Sequence, residues 1–371
     1  MKNVKSNEKG KSITTAMVNL DIAHQRLHNQ RIAQQRFERP ADVVRWLGAV
    51  QAQDYLGSLW ALGLRMRNAV EADIEQAIAD GAIVRTHPMR DTWHFVAAED
   101  IRWLLTLMAP GRIASMASCY RRLELDEATF ARSNAIFTKT LQGGKQLTRQ
   151  ELGAALRREG MAIAGLRLTF LLHRAEIEGV IASGRRRGKQ FTFALLDELV
   201  PASRMLEREE TLAELAYRYF TSHGPATLQD FTWWSGLAAA DARTGLEMVK
   251  SQLAGETIDN RIYWRSPSTP LAKVAMPAAY LLPPYDEYTV AYKDRSAVLN
   301  PRDAQRTGNG IFGPTIVVDG QIVGVWKRVF KKDTVIITQE LFTPLSEAQK
   351  EALAAAAGRY SRFVGKSLIR A

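Results

Sequence analysis

Apolar side chains recur at helical spacing on both sides of a short polar break near the start of the chain. Val43, Trp46, Leu47 and Val50 mark one stripe; Leu56, Leu59, Trp60 and Leu64 mark the next. Between them lies Gln51-Ala52-Gln53-Asp54. Residues two apart do not share a helix face. In an extended segment, however, Gln51 and Gln53 point one way while Ala52 points back. If both amides serve one site, the first helix must end near Val50. From the residues alone two readings stay open. The amides cap helix ends and tie a helical hairpin, as buried amides usually do, or they are spent on chemistry.

The pattern predicts a polar-faced helix over Leu20–Gln35 and another opened by Pro40, where a missing N–H costs nothing. A further helix covers Asn68–Gly81, with Gly81 as its stop. Ile83–Thr86 and Thr92–Val96 read as strands around the turn His87–Asp91. Helices followed by a hairpin make a winged-helix pattern, and the pattern recurs. Helices Thr148–Arg158 and Gly165–Glu178 precede strands Val180–Ser183 and Gln190–Phe193, joined by the turn Gly184–Gly188. Thr227, a good N-cap, starts a third copy: helices Leu228–Ser235 and Ala238–Leu253, then strands around Thr257-Ile258 and Arg261–Trp264. A rigid helical linker, Ala202–Phe220, joins the second and third copies.

After Pro270 strands dominate: Tyr280–Leu282, Gly310–Asp319, Gln321–Val329 and Thr334–Leu341. Asp319-Gly320 between alternating apolar runs marks a hairpin turn. A helix and a basic end over Leu345–Ala371 close the chain. The expected fold is mainly α with β (α+β): three tandem winged-helix domains with a β-rich C-terminal part. The expected boundaries are a disordered leader over 1–16, winged helix 1 with the glutamines over 17–135, winged helix 2 over 136–200, the helical linker and winged helix 3 over 201–270, and the β-rich region over 271–371. Uneven spacing of the copies argues against a solenoid.

Composition narrows the function. Of 371 residues, 46% are hydrophobic and 24% charged, a balance that supports a large core. A net charge of +11 points to a polyanion partner. The single cysteine, Cys119, excludes an internal disulfide and a multi-cysteine zinc site, and no histidine pair has zinc spacing. A reducing, cytoplasmic location fits. The polar, lysine-rich Met1–Ser12 is no signal peptide, and Leu271–Tyr285 is broken by Lys273 and three prolines, so no membrane span is expected. A monomer with neither metal nor organic cofactor is expected.

The candidate residues each carry two readings. Gly308-Asn309-Gly310-Ile311-Phe312-Gly313 fits the dinucleotide-binding glycine pattern, but a strand follows it where a helix is required, so that motif is rejected. Arg185, Arg186, Arg187 and Lys189 crowd the tip of the second hairpin, and Lys327 with Arg328 lies on the C-terminal hairpin near Lys331-Lys332. These cations are either solvated turns or phosphate contacts that release counterions. Arg85, His87, Arg90, Trp93 and His94 cluster on the first hairpin, beside Asp54, as a polar wing or as the wall of a pocket. Trp233-Trp234 reads as packing. Asp286-Glu287 could serve acid–base work, but adjacent carboxylates on a sheet-edge loop read rather as structural ion pairs.

Four stretches then converge: AVQAQDYLGSLWALGLR at Ala49–Arg65, RTHPMRDTWHFVAAEDIRWLL at Arg85–Leu105, LLPPYDEYTVAYKDRS at Leu281–Ser296 and GPTIVVDGQIVGVWKR at Gly313–Arg328. Together they resemble the winged-helix DNA glycosylases typified by AlkZ and YcaQ, over roughly Leu20 to the C-terminus. The resemblance implies three tandem winged helices and excision of alkylated bases, especially N7-alkylguanines, from double-stranded DNA, with interstrand crosslinks unhooked by some members. It implies catalysis by Gln51 and Gln53, since the AlkZ-like branch carries Gln, an aliphatic residue and Gln, whereas the YcaQ-like branch ends in Asp. An N7-alkylated guanine is cationic and already a good leaving group. Neutral amides can therefore suffice by orienting water at C1′. The alternative is a non-catalytic winged-helix DNA-binding protein or transcriptional regulator. A regulator binds one operator far above random DNA, whereas a repair enzyme binds through backbone contacts.

Overall fold

The computed structural model describes residues 21–200, 204–267, 276–307 and 313–370. The expected leader and most of the glycine pattern at Gly308–Gly313 lie outside them. Among the described residues no helix is long and apolar enough to cross a membrane.

The first sheet is built from β1 (Val50–Gln51), β2 (Ile83–Met89), β3 (Thr92–Ala97), β4 (Leu147–Thr148), β5 (Ile181–Ser183) and β6 (Thr192–Leu195). Its order is β1-β3-β2-β5-β6-β4. The first two hairpins share this one sheet. They join edge to edge where Arg85 of β2 faces Ser183 of β5. The first turn is also tighter than the expected five residues. Only Arg90 and Asp91 form it, both with positive φ (53° and 54°), as a two-residue hairpin turn requires. His87-Pro88-Met89 continue the strand through an irregularity between Thr86 and Met89.

Helix, helix, hairpin recurs at Arg149–Arg158, Arg167–Ile177 and the β5–β6 pair. It recurs again at Leu228–Ser235, Ala239–Val249 and the pair β7 (Ala254–Ile258) and β8 (Arg261–Arg265). Thr227 caps the first helix of the last set in a reciprocal box with Asp230. The linker helix runs Arg208–His223. Helices Ile101–Arg122 and Glu127–Leu141 fill a stretch to which the pattern assigns no element. The apolar stripe of the first stops at Met108, and Pro110 stands where a helix should end.

The predicted helix over Leu20–Gln35 stops at residue 29. Arg31 takes φ +62°, and the N–H groups of Ile32 and Ala33 both return to Leu27 O. Its polar side is not solvated. Arg26 donates to Pro225 O, Asn29 to Gly224 O and Gln30 to Tyr292 Oη, all buried. These long-range bonds fasten the start of the chain to its third and last quarters.

The C-terminal sheet contains β9 (Ala279–Leu282), β10 (Thr315–Val318), β11 (Gln321–Phe330), β12 (Thr334–Leu341) and β13 (Ser367–Arg370). Its order is β13-β12-β11-β10-β9, with β12 and β13 parallel. The helix Glu347–Phe363 covers it. This sheet shares one hydrophobic core with the helices around the glutamines. Trp60 donates to Leu281 O at 2.7 Å and meets Tyr360 edge-on at 5.2 Å. The last quarter of the chain therefore forms the floor beneath the first.

Candidate active site

The strand that carries the glutamines is set by what ends the helices on either side. Helix Pro40–Leu47 closes at Gly48, with φ +82°. A Cβ there would be strained and would also lie 3.3 Å from the Trp234 ring. The chain then extends, pairing Val50 with Phe95 and Gln51 with His94, and Ala52 N donates to Trp93 O at 2.7 Å. Asp54 stops the extension by capping helix Tyr55–Gly63, accepting from Gly57 N at 3.2 Å. The strand ends at Gln51, and Gln53 lies in the bend that leads to Asp54.

The capping work falls to Asp54 rather than to the amides. Gln51 is buried and Gln53 exposed. Gln53 Oε1 accepts one long bond, from Trp93 N at 3.4 Å. Among the described residues no hydrogen bond engages the Gln51 side chain. Both amides keep hydrogen-bonding capacity that a bound water or substrate could use.

A cavity of about 650 Å³ is lined by Arg85, Trp93, Arg149, Lys189 and Phe191; neither glutamine lines it, and Arg85 and Trp93 are what connect it to the glutamine segment. Arg85 donates through Nε and Nη2 to Ala52 O (3.2 and 3.1 Å), the carbonyl between the two glutamines. Its guanidinium lies 3.9 Å from the Trp93 ring centre and 4.7 Å from that of Phe191. Burial pushes its pKa down to about 10, so it stays charged at neutral pH.

The other residues expected around a pocket divide. His87 packs on Trp93 at 3.7 Å between ring centres, and its Nδ1 lies 3.0 Å from Glu176. His94 is fully buried; Nδ1 lies 2.8 Å from Thr92 O, a pure acceptor, so the proton sits there. Nε2 then accepts from Arg90 at 3.3 Å. Burial, and secondarily neighbouring arginines, holds both histidines down at about 3, which makes them neutral and apt to build the wall rather than titrate. Asp54 caps its helix and meets Arg328 at 3.4 Å.

The expected phosphate contacts divide too. Arg185, Arg187 and Lys189 are exposed at the second hairpin tip, Arg187 in an ion pair with Glu151 at 2.9 Å. Arg186 turns inward instead, to Glu75 at 3.3 Å and to the Tyr55 ring at 4.8 Å. On the C-terminal hairpin Lys327, Lys331 and Lys332 are exposed, while Arg328 is the residue at Asp54. Neither Arg186 nor Arg328 is a free surface cation.

Of the two adjacent carboxylates, one follows the sequence expectation and one does not. Asp286 is a structural ion-pair partner, bidentate to Arg65 at 2.9 Å with both side chains fully buried. Its neighbour Glu287 is not on a solvated edge. It lies in the core behind the glutamine strand, where Oε1 accepts from Gln51 N at 3.0 Å and Oε2 from Trp234 Nε1 at 2.8 Å. The available signal was the placement of two carboxylates inside an aromatic, proline-bounded run. Trp234 is core, as expected, and Trp233 is partly exposed.

A family model described as DNA glycosylase AlkZ-like matches residues 44–363. An interstrand DNA cross-link repair glycosylase from Streptomyces sahachiroi is 25% identical over 347 residues, covering 84% of this chain and 86% of that protein. The solved structure of Streptomyces sahachiroi DNA glycosylase AlkZ superposes with a TM-score of 0.77 at 23% identity, over 95% of this chain and 99% of that one. At that identity the structural likeness is one of fold.

Proposed function

The chain belongs to the AlkZ-like DNA glycosylase family, and from that premise we propose that it is a monofunctional glycosylase removing alkylated bases, N7-alkylguanine above all, from duplex DNA. Gln51 and Gln53 hold and orient the water. The observation that supports this reading is that helix capping is left to Asp54, while the Gln51 and Gln53 amides, one at the end of the strand and one in the bend after it, keep hydrogen-bonding capacity.

The chemistry needs little more. In an N7-alkylguanine the positive charge already sits on the base. The C1′–N9 bond breaks with its electron pair going to the base, which leaves neutral, and the sugar becomes an oxocarbenium-like cation. Water adds to C1′ and releases a proton to solvent. Amides cannot deprotonate that water in advance, but they can fix it within attack distance. Their carbonyl oxygens also stabilise developing positive charge. Arg85, bonded to Ala52 O, holds the segment rigid between them, and the aromatic walls of Trp93 and Phe191 offer stacking surface to an unstacked base or a bulky adduct. The Streptomyces relative is named for interstrand cross-link repair; a crosslink through guanine N7 has the same cationic leaving group, and we include it in the substrate class.

The test is incubation with duplex containing a single N7-methylguanine, followed by cleavage at abasic sites. Abasic sites at the methylated position and none in unmodified or uracil-containing duplex are expected. Binding without abasic sites would overturn the reading.

A further inference from the structure

Glu287 opens the short helix Glu287–Val290, and its side chain is fully buried. Three groups approach its carboxylate. These are the backbone N–H of Gln51 (3.0 Å), the indole of Trp234 (2.8 Å) and Nε2 of His223 (3.4 Å). His223 is fully buried and its other ring nitrogen lies 2.8 Å from Ser222 Oγ; burial pulls its pKa down while Glu287 pulls it up. Arg65 is committed to Asp286. Arg90 acts through its field and spends its hydrogen bond on His94. Burial alone would raise the pKa of Glu287, but the closeness and charge of His223, then the Arg90 field and the Gln51 N–H, outweigh it and hold the group at about 2.

A carboxylate thus stays ionised in the core with His223, 3.4 Å away, as its one titratable contact. Keeping such a charge out of water is expensive. Holding Gln51 in place does not require it, because an uncharged carbonyl would accept the same N–H. A charge is needed only if something positive forms nearby. The strand that Glu287 grips is the one on which, in the reading proposed above, positive charge passes from the base to the sugar.

We propose that Glu287 is a positioning residue for excision, pinning Gln51 through its backbone N–H and placing a fixed negative charge behind the glutamine strand that favours the sugar cation. This rests on the proposed role of Gln51. The charge acts through low-dielectric protein, where such interactions outrange those in water. It favours the transition state over the bound ground state, so it raises the rate of excision and leaves DNA affinity alone.

Neutralising Glu287 as Gln puts an N–H against the N–H of Trp234, so the charge is isolated on a Trp234→Phe background, where that donor is gone. Single-turnover excision of N7-methylguanine is measured for W234F and for W234F/E287Q, with DNA Kd and melting temperature. The double variant is expected to excise about tenfold to a hundredfold more slowly than W234F, at equal Kd and equal folded fraction. Equal rates would overturn the proposal, as would a loss that tracks the unfolded fraction. If the double variant does not fold, E287Q alone is read the same way against the native protein. Gln51→Ala, run in parallel, separates the two ideas. Loss there with none from E287Q removes the role of Glu287 only, whereas full activity in Gln51→Ala removes the reading beneath it.

Discussion

The two large sheets of this protein both bury apolar side chains, but the six-stranded one also buries a cluster of polar and ionisable groups. The C-terminal sheet packs Leu281, Leu282, Ile316, Val317, Val335 and Ile337 against the helices above it. The six-stranded sheet buries Arg85, Thr86, His87 and His94 beside Ile83, Val84, Phe95 and Val96 in adjacent strands, with Glu176 and Arg174 on the helix behind. Apolar packing pins a register and a floor. Buried charge costs stability, and a protein keeps it where position matters more than stability. The glutamine strand is the edge of the six-stranded sheet, and the C-terminal sheet shares a core with the helices beside it.

The largest expected difference between the sheets is their response to acid. His87, His94 and His173 are each held at about 3, burial being the first cause. A base whose folded-state pKa lies below its ordinary 6.5 is neutral in the fold and protonated in the unfolded chain between those values. Its share of stability is complete above about pH 6.5 and is lost as pH falls toward 3. At pH 5 each histidine costs about 2 kcal/mol. No strand of the C-terminal sheet contains a histidine. Hydrogen-exchange protection in β2 and β3 should therefore fall between pH 7 and pH 5, while β10 to β12 keep theirs. Equal loss in both sheets would erase the contrast.

A smaller effect separates inward from outward cations. Arg186→Ala removes a guanidinium packed on Tyr55 beside the glutamine strand and should slow excision several-fold without altering the salt dependence of binding. Replacing Arg185 and Lys189, both exposed, should weaken binding to all sequences alike. The slope of log affinity against log salt should shrink by about 0.9 for each phosphate no longer neutralised. Identical behaviour of the two variants would mean that the wing tip acts as one surface patch.

What could be read from sequence follows the same division. Thr334–Leu341 alternates cleanly and Asp319-Gly320 turns where expected, because one face of those strands is apolar. The Thr227 cap and the extended glutamine segment are local features with local signals. The joining of the two hairpins is not local. It rests on one facing pair, Arg85 and Ser183, nearly a hundred residues apart. The place of Glu287 is hidden for the same reason: its partners Gln51, His223 and Trp234 come from distant parts of the chain. Arg186 looks like its neighbours because a run of arginines carries no sign of which one turns inward. Ser367–Arg370 looks like a basic tail because its pairing with β12 is parallel and distant.

The central claim is that Gln51 and Gln53 are spent on chemistry and not on holding the fold. Gln51→Ala and Gln53→Ala should each melt within about 1 kcal/mol of the native protein and bind duplex with the same Kd. Single-turnover excision of N7-methylguanine should fall at least about tenfold for either, as expected when an oriented hydrogen bond to a transition state is removed. Helix-tying amides would behave differently, since truncation would leave buried groups unpaired at about 1–3 kcal/mol and binding would decline with stability. Native excision rates in both variants, with unchanged melting curves, would contradict the account.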